Sequence, residues 1–422
     1  MLYFGQGAPT KAFGCDEIKN ALFETFDRLG VRKKVLVIPP DFTRFHSRAG
    51  ELTQYVYEYY GECLTDILPA LGTHFPMTEE EIKKMFPDIP LSLFRVHNWR
   101  EDVVTVGTVP SEYIKDITEG AVDYAVPIQV NRLLQEGGYD LILSLGQVVP
   151  HEVIGMANYN KNIFVGVGGA ECINKSHFIG ASYGMERIMG RPLGPVRKVL
   201  NYASENFIPH LPVVYVQTVV SGGEDGLQMR GLYIGDDFEC FEKAANLSLN
   251  TNFRMMDREI KKAVVYLDPE EFRSTWLGNK SIYRTRMALA DDGGLIVLAP
   301  GLHQFGEDPT IDKLIRKYGY VHTPQVLKYV KENDDLQNNL SVAAHLIHGT
   351  SEGRFKTTYC PGHLTRQEIE SVGYQYADLA EMLQKYNPSV LKDGWNEVDG
   401  EEIYYISNPA LGLWAYRERF DN

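Results

Sequence analysis

The chain is predicted to be a two-domain α/β protein with mainly parallel sheets and an active cleft between the domains. Three observations carry this expectation. Its 422 residues are too many for one ordinary hydrophobic core, so two domains are the natural division. Short apolar runs alternate with helical stretches in each half, the pattern of βαβ units. Histidines, a lysine and an arginine stand just beyond the apolar runs, where open parallel sheets bind their ligands.

The elements follow in order. Val35-Leu36-Val37-Ile38 is an apolar run closed by Pro39-Pro40 and reads as a strand. Ile67-Leu68-Pro69-Ala70-Leu71 is a second, which Pro69 confines to an edge or a strand end. Thr78-Glu79-Glu80-Glu81 is a capping box that opens a helix. Tyr124 to Glu136 carries apolar residues at helical spacing. Leu141 to Leu145 and Val213 to Val216 are further strands. Phe238 to Lys262 reads as helical and polar, with Ala244, Leu247 and Leu249 as its apolar points, and is taken as the connection between domains. The alternation then resumes. Ala263–Leu267 and Leu295–Ala299 are strands, with a helix over Ser281–Leu289 between them. Asp312–Gly319 and Pro324–Asn333 are helical. Leu340 to Ile347 is a strand or a buried helix, and periodicity does not separate the two. Glu368 to Lys385 is the last long helix. The division predicted is residues 1–245, a helical connection over 246–262, and residues 263–422.

Composition narrows the class. Apolar residues make up 44% and charged residues 23%, as in a globular protein. The formal charge of −14 carries no basic stripe, which argues against nucleic acid as a partner. Five widely spaced cysteines without a CxxC read as free thiols in a reducing cytoplasm. No basic stretch followed by an apolar one opens the sequence, so no signal peptide is expected. No apolar run approaches the ~18 residues of a membrane span.

Three segments carry chemistry, each behind an apolar run: Asp41-Phe42-Thr43-Arg44, Gly72-Thr73-His74, and Gly146 to His151. Lys161 follows His151 by ten residues, and His177 follows Lys161 by sixteen. Imidazole moves protons and binds borderline metals near neutral pH, so histidines converging from separate strand ends suit a hydroxy-acid or metal enzyme. Taken singly, each has a bland reading: a hydrogen-bonded loop histidine, a surface arginine pair, an ordinary lysine. Gly166-Val167-Gly168-Gly169 lacks the spacing of a dinucleotide fingerprint and reads as a turn. His345 and His348 could share a helix face, but no HExxH or HxH occurs.

In their order and spacing, these segments resemble the nickel-dependent lactate racemase family of 2-hydroxy-acid racemases and epimerases. The resemblance implies a role for each residue. Lys161 matches the lysine that covalently tethers a nickel-pincer nucleotide, and His177 the nickel ligand. His74 and His151 match paired acid/base histidines. Arg44 matches the arginine that orients the substrate carboxylate, with Asp41 and Thr43 in the same cofactor-contacting turn. Lys280, in Trp276-Leu277-Gly278-Asn279-Lys280, looks like a second carboxylate-binding lysine. Two departures stand out. Ala157-Asn158-Tyr159-Asn160 replaces the Ser-Gly-Gly type of turn that many members place before the lysine. Leu277 stands where lactate-using members tend to carry glutamine. With Tyr283-Arg284-Thr285-Arg286, which could meet a polyol tail, the second half looks more like the branch acting on mannonate or gluconate.

The expected protein is thus a cytoplasmic isomerase inverting C2 of a 2-hydroxy acid, with a small-molecule partner and a homo-oligomeric state left open. Two other classes compete. A zinc hydrolase would use His74, His151 and His177, although only Glu152 offers a nearby carboxylate base. A non-catalytic sugar-acid binding protein would need neither a tethering lysine nor paired histidines.

Overall fold

A computed structural model describes residues 1–222 and 226–421. Its contacts gather into two units. The first comprises Met1–Ile179 and Ile188–Asn252, and the second Gly180–Arg187 and Phe253–Asn422.

The first unit is built on a six-stranded sheet. In spatial order its strands are Leu2–Gly7, Gln228–Gly235, Val213–Ser221, Leu141–Gln147, Val35–Ile38 and Leu64–Ile67. The last four run parallel, and Gln228–Gly235 and Leu2–Gly7 add antiparallel at one edge. Both faces of the parallel part are covered. Leu36, Ile38 and Ile142 enter one apolar cluster, while Val35, Val37, Leu141 and Leu143 enter the other. Burial on both faces is why these strands read as continuous apolar runs. The strand Leu141–Gln147 continues two residues beyond its apolar run, and its whole length is buried.

Several expectations change here. The second strand is Leu64–Ile67, ending before Leu68-Pro69, because Pro69 offers no N–H to a ladder. Only a single bridge, Pro40 to Ala70, carries the pairing further. Tyr124 to Glu136 is not a helix. Val126–Asn131 is a strand paired antiparallel with Val103–Val109, and only Arg132–Glu136 is helical. Val126, Ile128 and Val130 are fully buried, so the alternation of period two prevails over the helical reading. Phe238 to Lys262 is not one polar connecting helix. Phe238–Asn252 is a helix whose Phe241, Ala244 and Leu247 join the first unit's core, and strands follow at Phe253–Met256 and Ile260–Tyr266.

The second unit carries its own six-stranded sheet, in the order Gln375–Tyr376, Lys356–Pro361, Leu289–Ala299, Ile260–Tyr266, Glu401–Ile406, Gly394–Val398. Only the last pair is antiparallel. Leu340–Gly349 is a helix, buried from Ser341 to Gly349. The helix expected over Ser281–Leu289 covers only Lys280–Tyr283, and Leu289 already begins a strand. The last helix is broken in two, Arg366–Ser371 and Leu379–Lys385, at Gly373, whose φ of +96° no helix accommodates.

The sheet at the centre of the first unit sets its stability. Ile142 is fully buried there. Ile142→Ala should cost about 2–5 kcal/mol, because neighbours refill the space only in part. Urea unfolding followed by fluorescence, with an unchanged midpoint for the unit, would refute this.

Candidate active site

In the first unit, the strand Val35–Ile38 delivers the chain through Pro39-Pro40 to Asp41, which caps the short helix Phe42–Ser47. Asp41 Oδ1 accepts the Thr43 backbone N–H at 3.2 Å and the Thr43 hydroxyl at 2.6 Å. This is the Asx cap that Asp-x-Thr favours. Asp41 Oδ2 is left facing His74 Nδ1 at 2.6 Å. Burial of Asp41 opposes its charge, but His74, the Thr43 hydroxyl and Arg44 together hold the carboxyl below its ordinary value. The carboxylate accepts the His74 Nδ1–H and so fixes the tautomer, leaving Nε2 with a lone pair.

His151 lies in the tight ribbon of Pro150–His151 and Gly155–Met156 and is 6% exposed. Its Nδ1 accepts the Val153 backbone N–H at 3.1 Å. A neutral ring held this way carries its proton on Nε2. The two candidate acid/base imidazoles are therefore set in opposite tautomers.

Lys161 leads into a one-turn π-helix, Asn162–Gly166, a rare element that concentrates at functional sites. Burial and then the neighbouring Arg44 guanidinium lower its amine to about 8, while Glu152 and Asp41 pull the other way. His177 sits on the helix Ala170–Tyr183, where its Nδ1 donates to the Ile173 carbonyl at 2.7 Å. Burial lowers the imidazole to about 4, and the nearby Lys161 acts in the same direction. It is a neutral ring whose Nε2 is an available lone pair.

The electrostatic neighbours thus tie Asp41, Arg44, His74, Glu152, Lys161 and His177 into one cluster at the strand ends. His151 adjoins it through Glu152, whose Oε2 is 3.8 Å from its Nδ1. Arg44 Nη1 is buried with no hydrogen-bond partner. A buried unpaired guanidinium nitrogen is costly and suits an anionic ligand. Among the described residues, no three His, Cys, Asp or Glu side chains gather to hold a metal unaided, so His74, His151 and His177 do not form a zinc set.

Other glycines and histidines serve packing. The glycines at 166, 168 and 169 are close-approach residues, since a Cβ on Gly168 would lie 1.8 Å from the Phe164 carbonyl. His97 is buried between the Gly168 carbonyl and the Asn131 amide, both at 2.9 Å. His345 Nε2 meets the Tyr320 hydroxyl at 2.8 Å inside the second unit.

Lys280 belongs to the second unit. It is buried at the first turn of its short helix, 5.9 Å from the Phe272 ring centroid. The preceding Asn279 is fixed by the hydroxyls of Tyr359 at 2.7 Å and Tyr374 at 3.2 Å. Leu277 is a core side chain. The polar residues expected to meet a polyol tail are engaged internally: Arg286 pairs with Glu186 at 2.8 Å, Arg284 donates to the Gly412 carbonyl at 3.2 Å, and Thr285 to the Ser281 carbonyl at 2.7 Å.

Sequence reasoning missed the support of the Lys161 turn. Asn158 and Tyr159 have φ of +67° and +58°, a left-handed geometry that costs a non-glycine residue about 1–3 kcal/mol. These are the positions where a Ser-Gly-Gly type of turn would be free of strain. Arg197, fully buried on the helix Pro195–Phe207, donates to the carbonyls of Met156 at 2.7 Å and Asn158 at 3.3 Å and to the Asn160 side chain. Only its four- and seven-residue spacing to Asn201 and Ser204 hints at this in the sequence.

Histidines, an amine whose pKa burial lowers and a guanidinium nitrogen without a hydrogen-bond partner gather at the strand ends of a parallel sheet, which makes this the candidate site of the first unit. Residues 17–186 match the family model of the lactate racemase N-terminal domain. A crystal structure of a protein from Thermotoga maritima is similar over 98% of this chain and 100% of its own, with 26% identity and a TM-score of 0.83. The lactate racemase apoprotein from Thermoanaerobacterium thermosaccharolyticum is similar in fold over 96% of this chain and 93% of its own, with 16% identity and a TM-score of 0.70. A search of curated proteins finds no match.

Asp41's depressed value gives a signed expectation. Its ionised form stabilises the fold at pH above the ordinary carboxylate value of 3.8. That contribution is lost as pH falls through the lower folded value. Asp41→Asn should therefore be less stable than wild type at neutral pH, with the gap closing on acidification. Denaturant midpoints across pH would show the reverse trend if Asp41 were held protonated.

Proposed function

We propose that this chain is a racemase or epimerase that inverts C2 of a 2-hydroxy acid using a nickel-pincer nucleotide. The observation that carries the reading is that His74, backed by the Asp41 carboxylate, and His151, backed by the Val153 N–H, accompany Lys161, His177 and an Arg44 nitrogen without a hydrogen-bond partner. The lactate racemase domain match supports the same class.

The donor set fits the cofactor. The Lys161 amine, at about 8, is neutral in a usable fraction near physiological pH and can form a covalent attachment. The His177 Nε2 lone pair, oriented by the Ile173 carbonyl behind Nδ1, is a metal ligand of the usual backed kind. When bound, the nucleotide supplies an acceptor and donor of hydride at C2.

The chain's own residues do the rest. A carboxylate next to C2 makes proton removal there costly, whereas removal of hydride with the hydroxyl proton leaves a neutral ketone. Arg44 binds the substrate carboxylate as a charge-assisted pair. His74 Nε2 takes the hydroxyl proton of one epimer, and Asp41 stabilises the resulting imidazolium. His151 starts as an Nε2–H donor to the oxygen on the other face. To act as a base it must give up the Val153 N–H bond. The two directions thus begin from unequal resting states.

The substrate tail is assigned to an aldonate such as mannonate or gluconate, ahead of lactate, on the resemblance of the second half to the sugar-acid branch. Protein produced with the cofactor-synthesis machinery should show nickel and a covalent mass increment on the Lys161 peptide, and should epimerise one member of a panel holding lactate, mannonate and gluconate. Zinc with no increment would instead favour the hydrolase, and no metal, no increment and no turnover in such a preparation would favour the binding protein.

His74→Ala and His151→Ala should keep the increment and lose about 10²–10⁴ in epimerisation rate. In single turnovers, each should still oxidise one epimer to the keto acid. Near wild-type multiple turnover by either variant would remove the two-histidine mechanism.

A further inference from the structure

The Lys161 turn combines three features that do not belong together in an ordinary loop. It has two consecutive non-glycine residues in left-handed geometry, Asn158 and Tyr159. It is read by a fully buried arginine, Arg197, that no carboxylate neutralises among the described residues. It also buries the two polar side chains of Asn158 and Asn160. A buried charge without a counter-ion is expensive, so it persists where its hydrogen bonds hold something in place.

What Arg197 holds is the backbone of residues 156–160. One guanidinium nitrogen donates to the Met156 carbonyl at 2.7 Å, and both reach the Asn158 carbonyl at 3.3 Å. The Asn160 side-chain oxygen accepts from the same guanidinium. Phe241 stacks under it, 4.2 Å from the ring centroid to Cζ, and Phe241 in turn stacks on Tyr159 at 5.2 Å. Further along the same helix face, the Asn160 amide donates to Asn201 Oδ1 at 2.8 Å and Ser204 Oγ at 3.2 Å. On the sheet side, the Asn158 amide donates to the Gly146 carbonyl at 2.6 Å and Gln217 Oε1 at 2.8 Å, and its oxygen accepts from Asn162 at 2.6 Å. The turn is fastened from both sides, and Lys161 is the next residue.

We propose that Arg197 is a positioning residue: with Asn158 and Asn160 it holds the left-handed turn that aims the Lys161 amine into the strand-end cluster. In this chain the clamp replaces the conformational freedom that glycines would give. The inference concerns the direction of the amine. It draws its meaning from the reading of Lys161 as the cofactor's attachment point, but its test needs no cofactor.

The test is competitive acetylation of the full chain, produced without cofactor, by acetic anhydride at a pH alkaline enough that access governs the rate. Labelling of Lys161 is read by peptide mass spectrometry against the exposed Lys33. Arg197→Met should raise the Lys161-to-Lys33 ratio about tenfold as the amine leaves its held position, in line with the strong dependence of reactivity on placement. Arg197→Lys should lie between, since one ammonium cannot span both the Met156 and Asn160 oxygens. Asn158→Ala should behave like Arg197→Met, while Asn158→Gly should stay near wild type. These two lose the same side-chain bonds and differ only by a Cβ at positive φ, so the comparison reads the turn and not general loosening. A wild-type ratio in folded Arg197→Met, or equal ratios for the Ala and Gly variants, would overturn the proposal. Should Arg197→Met fail to fold, the Asn158 pair decides alone. A missing covalent increment in cofactor-loaded wild type would overturn the proposed function and leave this inference standing.

Discussion

The site in the first unit depends on one buried carboxylate. Asp41 is 4% exposed, and each of its oxygens has separate work: Oδ1 caps the helix that carries Arg44, and Oδ2 holds His74. Remove the charge and the helix start, the arginine's placement and the imidazole's tautomer lose their common reference. The carboxylate stays ionised because its surroundings offer a hydroxyl, an N–H, an imidazole and a guanidinium against the penalty of burial. Groups from two different strand ends are thereby locked to one point, which a single loop contact could not achieve.

Opposite histidine tautomers follow from unlike partners. One ring backs onto a carboxylate, the other onto a peptide N–H. A carboxylate tolerates an imidazolium next to it, while a peptide N–H excludes one in the same orientation. The surroundings of each ring therefore fix what it can do before any substrate arrives. This is the separation of roles by environment seen wherever two like groups share one reaction.

Legibility of the sequence tracked how local the physical cause was. Val35–Ile38 and Leu141–Leu145 could be read because double-sided burial demands an unbroken apolar run. The capping box at Thr78 could be read because all its parts lie within four residues, and it closes as expected. Tyr124–Glu136 reads as one helix because a strand and a helix abut there, and the combined stretch imitates helical spacing. The Asp41, His74 and Lys161 segments were visible as residues behind apolar runs. Their pairing was not, because the Asp41–His74 contact spans 33 positions. Arg197 was invisible for a similar reason. An arginine in an amphipathic helix resembles a surface charge, and only the strained turn it faces shows otherwise. In the polar run Tyr283–Arg286 the charged residues were visible, but their pairing with Glu186 and the Gly412 carbonyl, about a hundred positions away, was not.

The second unit is assembled from two stretches of chain, one of them only Gly180–Arg187. Glu186 lies in that short stretch and pairs with both Arg286 and Arg354. A ribosome therefore delivers one piece of the unit about seventy residues before the rest, and the piece must wait in an incomplete state. The same arrangement means that residues 253–422 are not a cassette that recombination or cloning could move intact. Cut there, the fragment would carry the buried Arg286 without its carboxylate, and Arg354 with Asp291 as its remaining partner.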